Sequence, residues 1–225
     1  MLRSFLITAL AACGLFLAPS NAAHAMTFAL VQMGGESCQR DCQSVIVASG
    51  EIELNSGEAF VRFIKSEVIG QKVASLIMMS SPGGNVVGSI KLGIAVRQLG
   101  FSIIVGQVRS GAFVTARCYS ACAYTLAGGR SRIVPEGSEV GVHKAWTAKT
   151  GQQDRVGGGT IDAQVATEGF SPVLARYLQM MGVSGQLMAL ADGTPSTSIR
   201  VLSRAELSKL KVMTGAAPRK PRRAS

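Results

Sequence analysis

The sequence predicts an α/β fold whose sheet is mainly parallel. Four apolar runs of strand length alternate with segments of helical periodicity, and these runs cover 45–48, 73–79, 102–105 and 140–142. A sharp break containing two glycines, 81–84, follows the second run. Strands that alternate with helices usually pair in parallel, because each helix carries the chain back across the sheet.

Helix signals fill the intervals between the apolar runs. The first helix begins at Asn55 or Ser56 and ends at Gly70, and the second covers 86–100. Ser120 opens a short third helix that ends before a pair of glycines. Three later helices begin at serine caps, which are Ser171, Ser184 and Ser203.

The first 25 residues have the pattern of a secretory signal peptide. Arg3 supplies the positive start, an apolar run follows, and 23–25 has the small-x-small pattern of a cleavage site. The segment 10–13 also resembles a lipobox, so a lipoprotein anchored at Cys13 is the alternative. The mature chain is therefore expected to be periplasmic or secreted, since no later run reaches the ~18 apolar residues of a membrane span.

The rest of the chain divides into three parts. Residues 26–43 form an N-terminal segment with cysteines, 44–215 hold one folded domain, and 216–225 form a basic tail that we expect to be disordered. Loss of Arg3 with the signal lowers the net charge from +10 to +9. No nucleic-acid partner is expected, because no aromatic stacking platform accompanies the basic residues. Contact of the tail with an anionic surface is the alternative to a merely solvated tail.

Export also affects how the cysteines are interpreted, because the periplasm and the exterior oxidise thiols. Four remain after Cys13 leaves, in two pairs of equal spacing, namely Cys38 with Cys42 and Cys118 with Cys122. Four cysteines allow three disulfide connectivities, which the sequence does not separate. Zinc binding is the rival interpretation, but the spacing fits zinc sites poorly. We therefore predict disulfides and no metal, and a Cys118–Cys122 bond requires that the turn before Ser120 is not helical.

Ser120 and His143 are the residues that can support nucleophilic chemistry. A serine hydroxyl reacts when a base takes its proton, and the oxyanion that forms needs N–H donors. Because Ser120 begins a helix, the N–H of Ala121 is free to serve as one donor. The glycine turn can present the N–H of Gly83 as another. His143 ends a strand and is the one histidine outside the predicted signal peptide.

Taken together, these motifs resemble the Clp protease proteolytic subunit within the crotonase superfamily. The resemblance runs from about 44 to 212, and its motifs stand in the expected order at 49–52, 81–84, 119–123, 126–129 and 139–143. It implies a spiral of ββα units, Ser120 as nucleophile and His143 as base. It also implies that Gly83 and Ala121 supply the oxyanion donors. A peptide or protein substrate, a homo-oligomer and no cofactor are further expectations from the resemblance.

Two departures from the family pattern concern the catalytic site. The segment 109–117 lengthens the approach to Ser120, and 198–200 lacks the aspartate that the pattern places there. Asp192 is the nearest substitute for the third catalytic residue. A serine–lysine dyad is an alternative, with Lys144 or Lys149 as the base. The nucleophile turn of α/β-hydrolases is disfavoured because both of its glycines are missing. Acyl-CoA chemistry is also disfavoured, because that cofactor is not expected outside the cell.

The expected function is that of a periplasmic serine peptidase, acting without an ATPase partner because this compartment supplies no ATP. The alternative is a catalytically inactive module that keeps the fold for binding or assembly in the cell envelope. The third catalytic group separates the two functions, because an orienting partner for the histidine is worth orders of magnitude in rate.

Overall fold

The computed structural model describes residues 24–34, 43–145 and 169–215. The predicted signal peptide up to residue 23, both cysteines of the first pair, Lys149 and the basic tail lie outside the described residues. Within these ranges the fold is mixed α/β with a mostly parallel main sheet, which confirms the predicted class at that level. No helix in the same ranges is long and apolar enough to cross a membrane.

The described chain has ten strands in three sheets. Their bounds are β1 (Thr27–Gln32), β2 (Ser44–Ser49), β3 (Val73–Ser80), β4 (Ser102–Val105), β5 (Gln107–Arg109), β6 (Ala112–Val114), β7 (Arg117–Tyr119), β8 (Arg132–Ile133), β9 (Glu139–Val142) and β10 (Arg200–Val201). The main sheet has the order β1-β2-β3-β4-β8, in which β1 is antiparallel to β2 and the other pairs are parallel. The apolar runs found in the sequence are β2, β3 and β4 of this sheet and β9 of a smaller one.

The smaller sheet, in the order β10-β9-β7, brings the two catalytic candidates together. β7 and β9 are parallel, with Arg117 opposite Glu139 and Tyr119 opposite Gly141. Ser120 directly follows β7 and His143 directly follows β9. Because neighbouring parallel strands end at the same edge of a sheet, both residues emerge side by side.

Six α-helices pack around these sheets in the described residues. Their bounds are α1 (Ser56–Phe63), α2 (Val86–Gln98), α3 (Ala121–Ala127), α4 (Phe170–Met180), α5 (Gln186–Asp192) and α6 (Arg204–Lys209), and a π-helical turn (Ile64–Val68) continues α1. The predicted capping box is present at α6, where Ser203 and Glu206 exchange hydrogen bonds. Hydrogen bonds from Arg200 and Ser203 lower the pKa of Glu206 to about 2.

Helices α2 and α3 approach each other so closely that their backbones touch. A Cβ atom on Gly128, just after α3, would lie 2.2 Å from the carbonyl oxygen of Gly93 in α2. A Cβ on Gly93 would lie 1.9 Å from the hydroxyl of Tyr177 in α4. That hydroxyl donates a hydrogen bond to the carbonyl of Tyr124 in α3 at 2.9 Å. The three helices are thus packed around two positions that admit no side chain.

Two arginines bind the carbonyl ends of three helices. The Arg132 guanidinium donates to carbonyls after α3, α4 and α6, namely those of Gly129, Met181 and Lys211. Arg97 donates to the first two of these carbonyls and to that of Gly128. The last carbonyls of a helix have no partner within it and carry partial negative charge, so a buried cation is well placed there. Burial, with a contribution from Arg97, lowers the pKa of Arg132 to about 10.

Candidate active site

Ser120 and His143 form a hydrogen-bonded pair. Nε2 of His143 lies 2.7 Å from Oγ of Ser120, the distance required for direct proton transfer. Both side chains are partly buried, so the pair is shielded from solvent without being sealed from it. The parallel pairing of β7 with β9 produces this contact across 23 positions of sequence.

The second ring nitrogen of His143 contacts the backbone. Nδ1 lies 3.0 Å from the carbonyl oxygen of Ser196, in the turn Pro195–Ser198 before β10. A carbonyl oxygen only accepts hydrogen bonds, so Nδ1 carries the proton in the neutral ring. Nε2 is then the acceptor, and the Ser120 hydroxyl donates to it. The contact with Ser196 therefore sets the tautomer that a general base needs.

Asp192 does not occupy the position expected for the third catalytic residue. It is the last residue of α5, and its Oδ1 accepts a hydrogen bond from the Ser171 hydroxyl at 3.0 Å, near the start of α4. The orienting contact to His143 comes instead from the carbonyl of Ser196. The expectation for Asp192 is corrected accordingly, since its carboxylate joins two helix ends.

Ser120 has an unusual backbone conformation, with φ 55° and ψ −125°. A non-glycine residue with positive φ is uncommon and persists where its surroundings fix it. Its N–H donates to the carbonyl of Gly141 at 2.8 Å, and its own carbonyl accepts from Ala123 N–H at 3.0 Å. The chain thus turns sharply from β7 into α3, and this turn presents the hydroxyl to His143.

A disulfide spans this turn. The sulfur atoms of Cys118 in β7 and Cys122 in α3 lie 2.03 Å apart, and both residues are fully buried. The segment before Ser120 is a strand, which is the geometry that the sequence required for this pairing. Ser120 lies at the middle of the closed loop. Cys38 and Cys42 lie outside the described residues, so their predicted bond stays a prediction.

Loss of the disulfide is expected to affect reactivity more than stability. The two cysteines are separated by four positions, and closing so short a loop stabilises by about 2 kcal/mol at most. The turn at Ser120 would relax, and a small misplacement of a nucleophile costs about tenfold or more in rate. We therefore expect the double variant Cys118→Ala, Cys122→Ala to unfold at slightly lower denaturant and to react about tenfold more slowly with a serine-directed phosphonate. An unchanged reaction rate would show that the bond does not position Ser120.

The amide groups near Ser120 only partly match the expected oxyanion donors. Ala121 N–H begins α3 and has no acceptor among the described residues, as expected. The N–H of Gly83, in contrast, donates to Oγ of Ser81 at 3.1 Å inside the turn. Its neighbour Gly84 forms a parallel bridge with Ile52, in which the Ile52 N–H donates to the carbonyl of Gly83 and the Ile52 carbonyl accepts from the N–H of Asn85. The N–H of Gly84 itself points away from Ile52 and has no acceptor among the described residues. Gly83 is nevertheless the glycine of this turn that lies against Ser120, so the predicted second donor is narrowed to the turn at 83–84 and not to one amide of it.

Gly83 still has a steric role. A Cβ atom there would lie 2.7 Å from Cβ of Ser120 and 2.8 Å from the carbonyl oxygen of Tyr119, and φ is +114°. We expect Gly83→Ala to push Ser120 away from His143 and to reduce the rate of phosphonate labelling by about 100-fold. A displacement of a reacting group by about 1 Å lowers the rate by that factor. The matched control is Gly70→Ala, which also has positive φ but no atom within 4 Å. Equal labelling of the two variants would contradict the steric role.

A cavity of about 470 Å³ adjoins the glycine turn and Tyr119, the residue before Ser120. Ser81, Pro82, Tyr119 and Glu51 contribute to its wall. The hydroxyl of Tyr119 donates a hydrogen bond to Glu139, and burial together with this carboxylate raises the pKa of Tyr119. Neither Ser120 nor His143 lines this cavity, which reaches the candidate site through Tyr119 and the glycine turn.

Lysine and metal alternatives gain no support from the described residues. Lys144 is exposed, and its backbone N–H donates to the carbonyl of Thr194, while Lys149 lies outside the described ranges. Within those ranges no group of three or more histidine, cysteine, aspartate or glutamate side chains could hold a metal ion.

No protein-family model and no curated protein sequence matches the chain. The geometry of the Ser120–His143 pair is therefore the main basis for a functional assignment, alongside the motifs found in the sequence.

Proposed function

We propose that the protein is a serine hydrolase that cleaves peptide bonds, with Ser120 as nucleophile and His143 as base. The observation that carries the proposal is the 2.7 Å contact between Nε2 and Oγ. It is supported by a protonated Nδ1 on the opposite side of the ring, which leaves Nε2 free to accept.

The proposed reaction follows from the groups present. Nε2 of His143 takes the proton from the Ser120 hydroxyl as Oγ attacks the substrate carbonyl carbon. The negative charge that develops on the carbonyl oxygen is stabilised by the N–H group of Ala121 and by an N–H group of the glycine turn at 83–84. The protonated histidine then returns the proton to the leaving amine as the C–N bond breaks, which leaves an acyl-Ser120 ester. Water, deprotonated by the same nitrogen, hydrolyses that ester and regenerates the hydroxyl.

The group that orients His143 distinguishes this site from a catalytic triad, because it is the carbonyl of Ser196 and not a carboxylate. The Ser196 carbonyl sets the tautomer of His143 as a carboxylate would, but it carries only a partial charge and stabilises the imidazolium less. A triad whose tautomer is wrong loses about 10⁴-fold in rate, and that loss is avoided here. We therefore favour a slow hydrolase over the catalytically inactive binding or assembly module, although the weaker third group is the observation that keeps the module as the alternative.

The wider expectations belong to the same proposal. We propose that the parallel sheet and its helices form a Clp protease and crotonase type of spiral, as the order of the motifs suggests. Export to the periplasm or the exterior, a peptide or protein substrate, a homo-oligomer and independence from an ATPase are proposed with it. The buried Cys118–Cys122 pair supports an oxidising location, because such bonds persist outside the reducing cytosol.

Labelling with a fluorophosphonate tests the proposed function. The purified protein should react at a single site, and mass spectrometry of its peptides should place the adduct on Ser120. Acyl-enzyme formation from activated esters gives a second readout of the same hydroxyl. An adduct elsewhere, or no adduct after prolonged reaction, would favour the inactive module.

A further inference from the structure

A second cavity of about 430 Å³ lies between the β5–β6 hairpin and the sheet that holds the catalytic pair. Gln107, Arg109 and Thr115 line it from the hairpin and the segment after it, and Arg117 and Glu139 line it from the sheet. This hairpin lies in the stretch by which the chain departs from the family pattern. Four of the residues that line the cavity, Arg109, Thr115, Ala116 and Arg117, belong to that stretch.

The hairpin is held in a defined position. Ser110 and Gly111 have φ values of 48° and 72°, so the two residues that connect β5 to β6 form the turn type that matches strand twist. Phe113 packs onto the backbone of Gly106, where a Cβ would lie 2.1 Å from the ring. Val108 and Phe113 also pack against a small apolar cluster under the main sheet. Arg109 therefore lies at the end of a strand whose position is fixed by these contacts.

The charges around the cavity do not cancel. Nε of Arg117 lies 3.6 Å from Glu139, whose carboxylate also accepts from the Tyr119 hydroxyl. Arg109 is exposed and has no ion pair among the described residues. Two guanidinium groups therefore line the cavity with one carboxylate, and that carboxylate already has two partners. Guanidinium groups bind carboxylates in paired geometry, and neutral donors such as Gln107 can add hydrogen bonds.

The position of the cavity relative to the catalytic pair follows from strand register. Arg117, Tyr119, Glu139 and Gly141 lie on one face of the sheet, because paired and alternate residues share a face. Arg117 precedes Ser120 by three residues, which is about 10 Å along a strand. We consider an extended peptide that is bound at Ser120 and runs along this face. Its side chain three or four residues from the scissile bond would lie beside Arg109 and Arg117.

We infer that this cavity is a subsite for an acidic side chain of the substrate, with Arg109 and Arg117 as the residues that determine specificity. The inference rests on the proposed function for the identity of the ligand as a peptide. The preference for a carboxylate follows from the excess of two guanidinium groups over one carboxylate around the cavity, since Arg109 has no ion pair among the described residues.

Peptide binding to the Ser120→Ala protein tests the inference without requiring catalysis. The probes are two fluorescent peptides that differ only in glutamate or glutamine three or four residues from the centre. We expect the glutamate peptide to bind about three- to tenfold more tightly, as for one or two partly exposed ion pairs, and the difference to shrink with salt. Arg109→Gln should remove most of the preference. The control Arg130→Gln, an exposed arginine outside the cavity lining, should keep it.

Equal binding of the two peptides, a preference that survives Arg109→Gln, or no detectable binding of either would overturn the inference. Equal competition by an anionic polysaccharide at matched charge would overturn the assignment to peptides. Phosphonate labelling of the wild-type protein is scored separately. A preference without labelling refutes the hydrolase alone, and labelling without a preference refutes the subsite alone.

Discussion

Replacing Ser120 with alanine is expected to abolish phosphonate labelling and to lower peptide hydrolysis by on the order of 10³-fold or more. The reason is that the proposed acyl intermediate needs Oγ, which lies 2.7 Å from Nε2 of His143. His143→Ala should have nearly the same effect, because a hydroxyl without its base is a poor nucleophile. The double variant should be no worse than either single one, since the two residues act as a unit.

Asp192→Asn is the matched control for this experiment. Its carboxylate bonds to Ser171, and the ring of His143 is oriented by Ser196, so hydrolysis and labelling should be little changed. Progress curves for the variants under identical conditions provide the comparison. A strong loss in Asp192→Asn, or labelling that persists in Ser120→Ala, would refute the assignment of the site.

Arg132→Met is expected to lower the free energy of unfolding by about 3 kcal/mol. Methionine fills a similar volume but leaves the carbonyl of Lys211 without the 2.8 Å hydrogen bond that Arg132 supplies. It also removes one of two donors to Met181 and Gly129. A hydrogen bond from a charged donor is worth about 1.5–3 kcal/mol.

Denaturant unfolding followed by circular dichroism measures this effect. Arg130→Met, two residues earlier and exposed, is the matched control and should stay within about 0.5 kcal/mol of the wild type. If the two variants unfold at the same denaturant concentration, the hydrogen bonds of Arg132 do not contribute to stability.

The elements with strong local signals were predictable from the sequence. The buried runs in β2, β3 and β4 are long enough to identify by composition, and Ser203 with Glu206 forms a capping box that depends only on neighbouring residues. The strands of two or three residues, such as β7, β8 and β10, were not found. Their conformation comes from partners elsewhere in the chain, so no local periodicity encodes them.

The candidate site also contains some groups that the sequence predicts and others that it does not. Ser120 and His143 could be selected because nucleophile and base are recognisable residue types. The Ser196 carbonyl could not, since every residue offers a carbonyl and only the folded turn before β10 aims this one at the ring. The hydrogen bond from the Gly83 N–H to Oγ of Ser81 could not be predicted either, because it exists only in the folded turn.

The two glycines between α2 and α3 limit which changes the chain can accept far from the nucleophile. A methyl group on Gly128 would meet the backbone of Gly93 in α2, so alanine there would have to displace α3, whereas a methyl group on Gly93 would meet the Tyr177 hydroxyl of α4. Ser120 is joined directly to the N-terminus of α3, and would travel with it. A shift of about 1 Å is enough to cost a hydrolase about two orders of magnitude in rate. Gly128 is thus a spacer that sets where Ser120 lies relative to His143, and substitutions there should impair reactivity in protein that still folds.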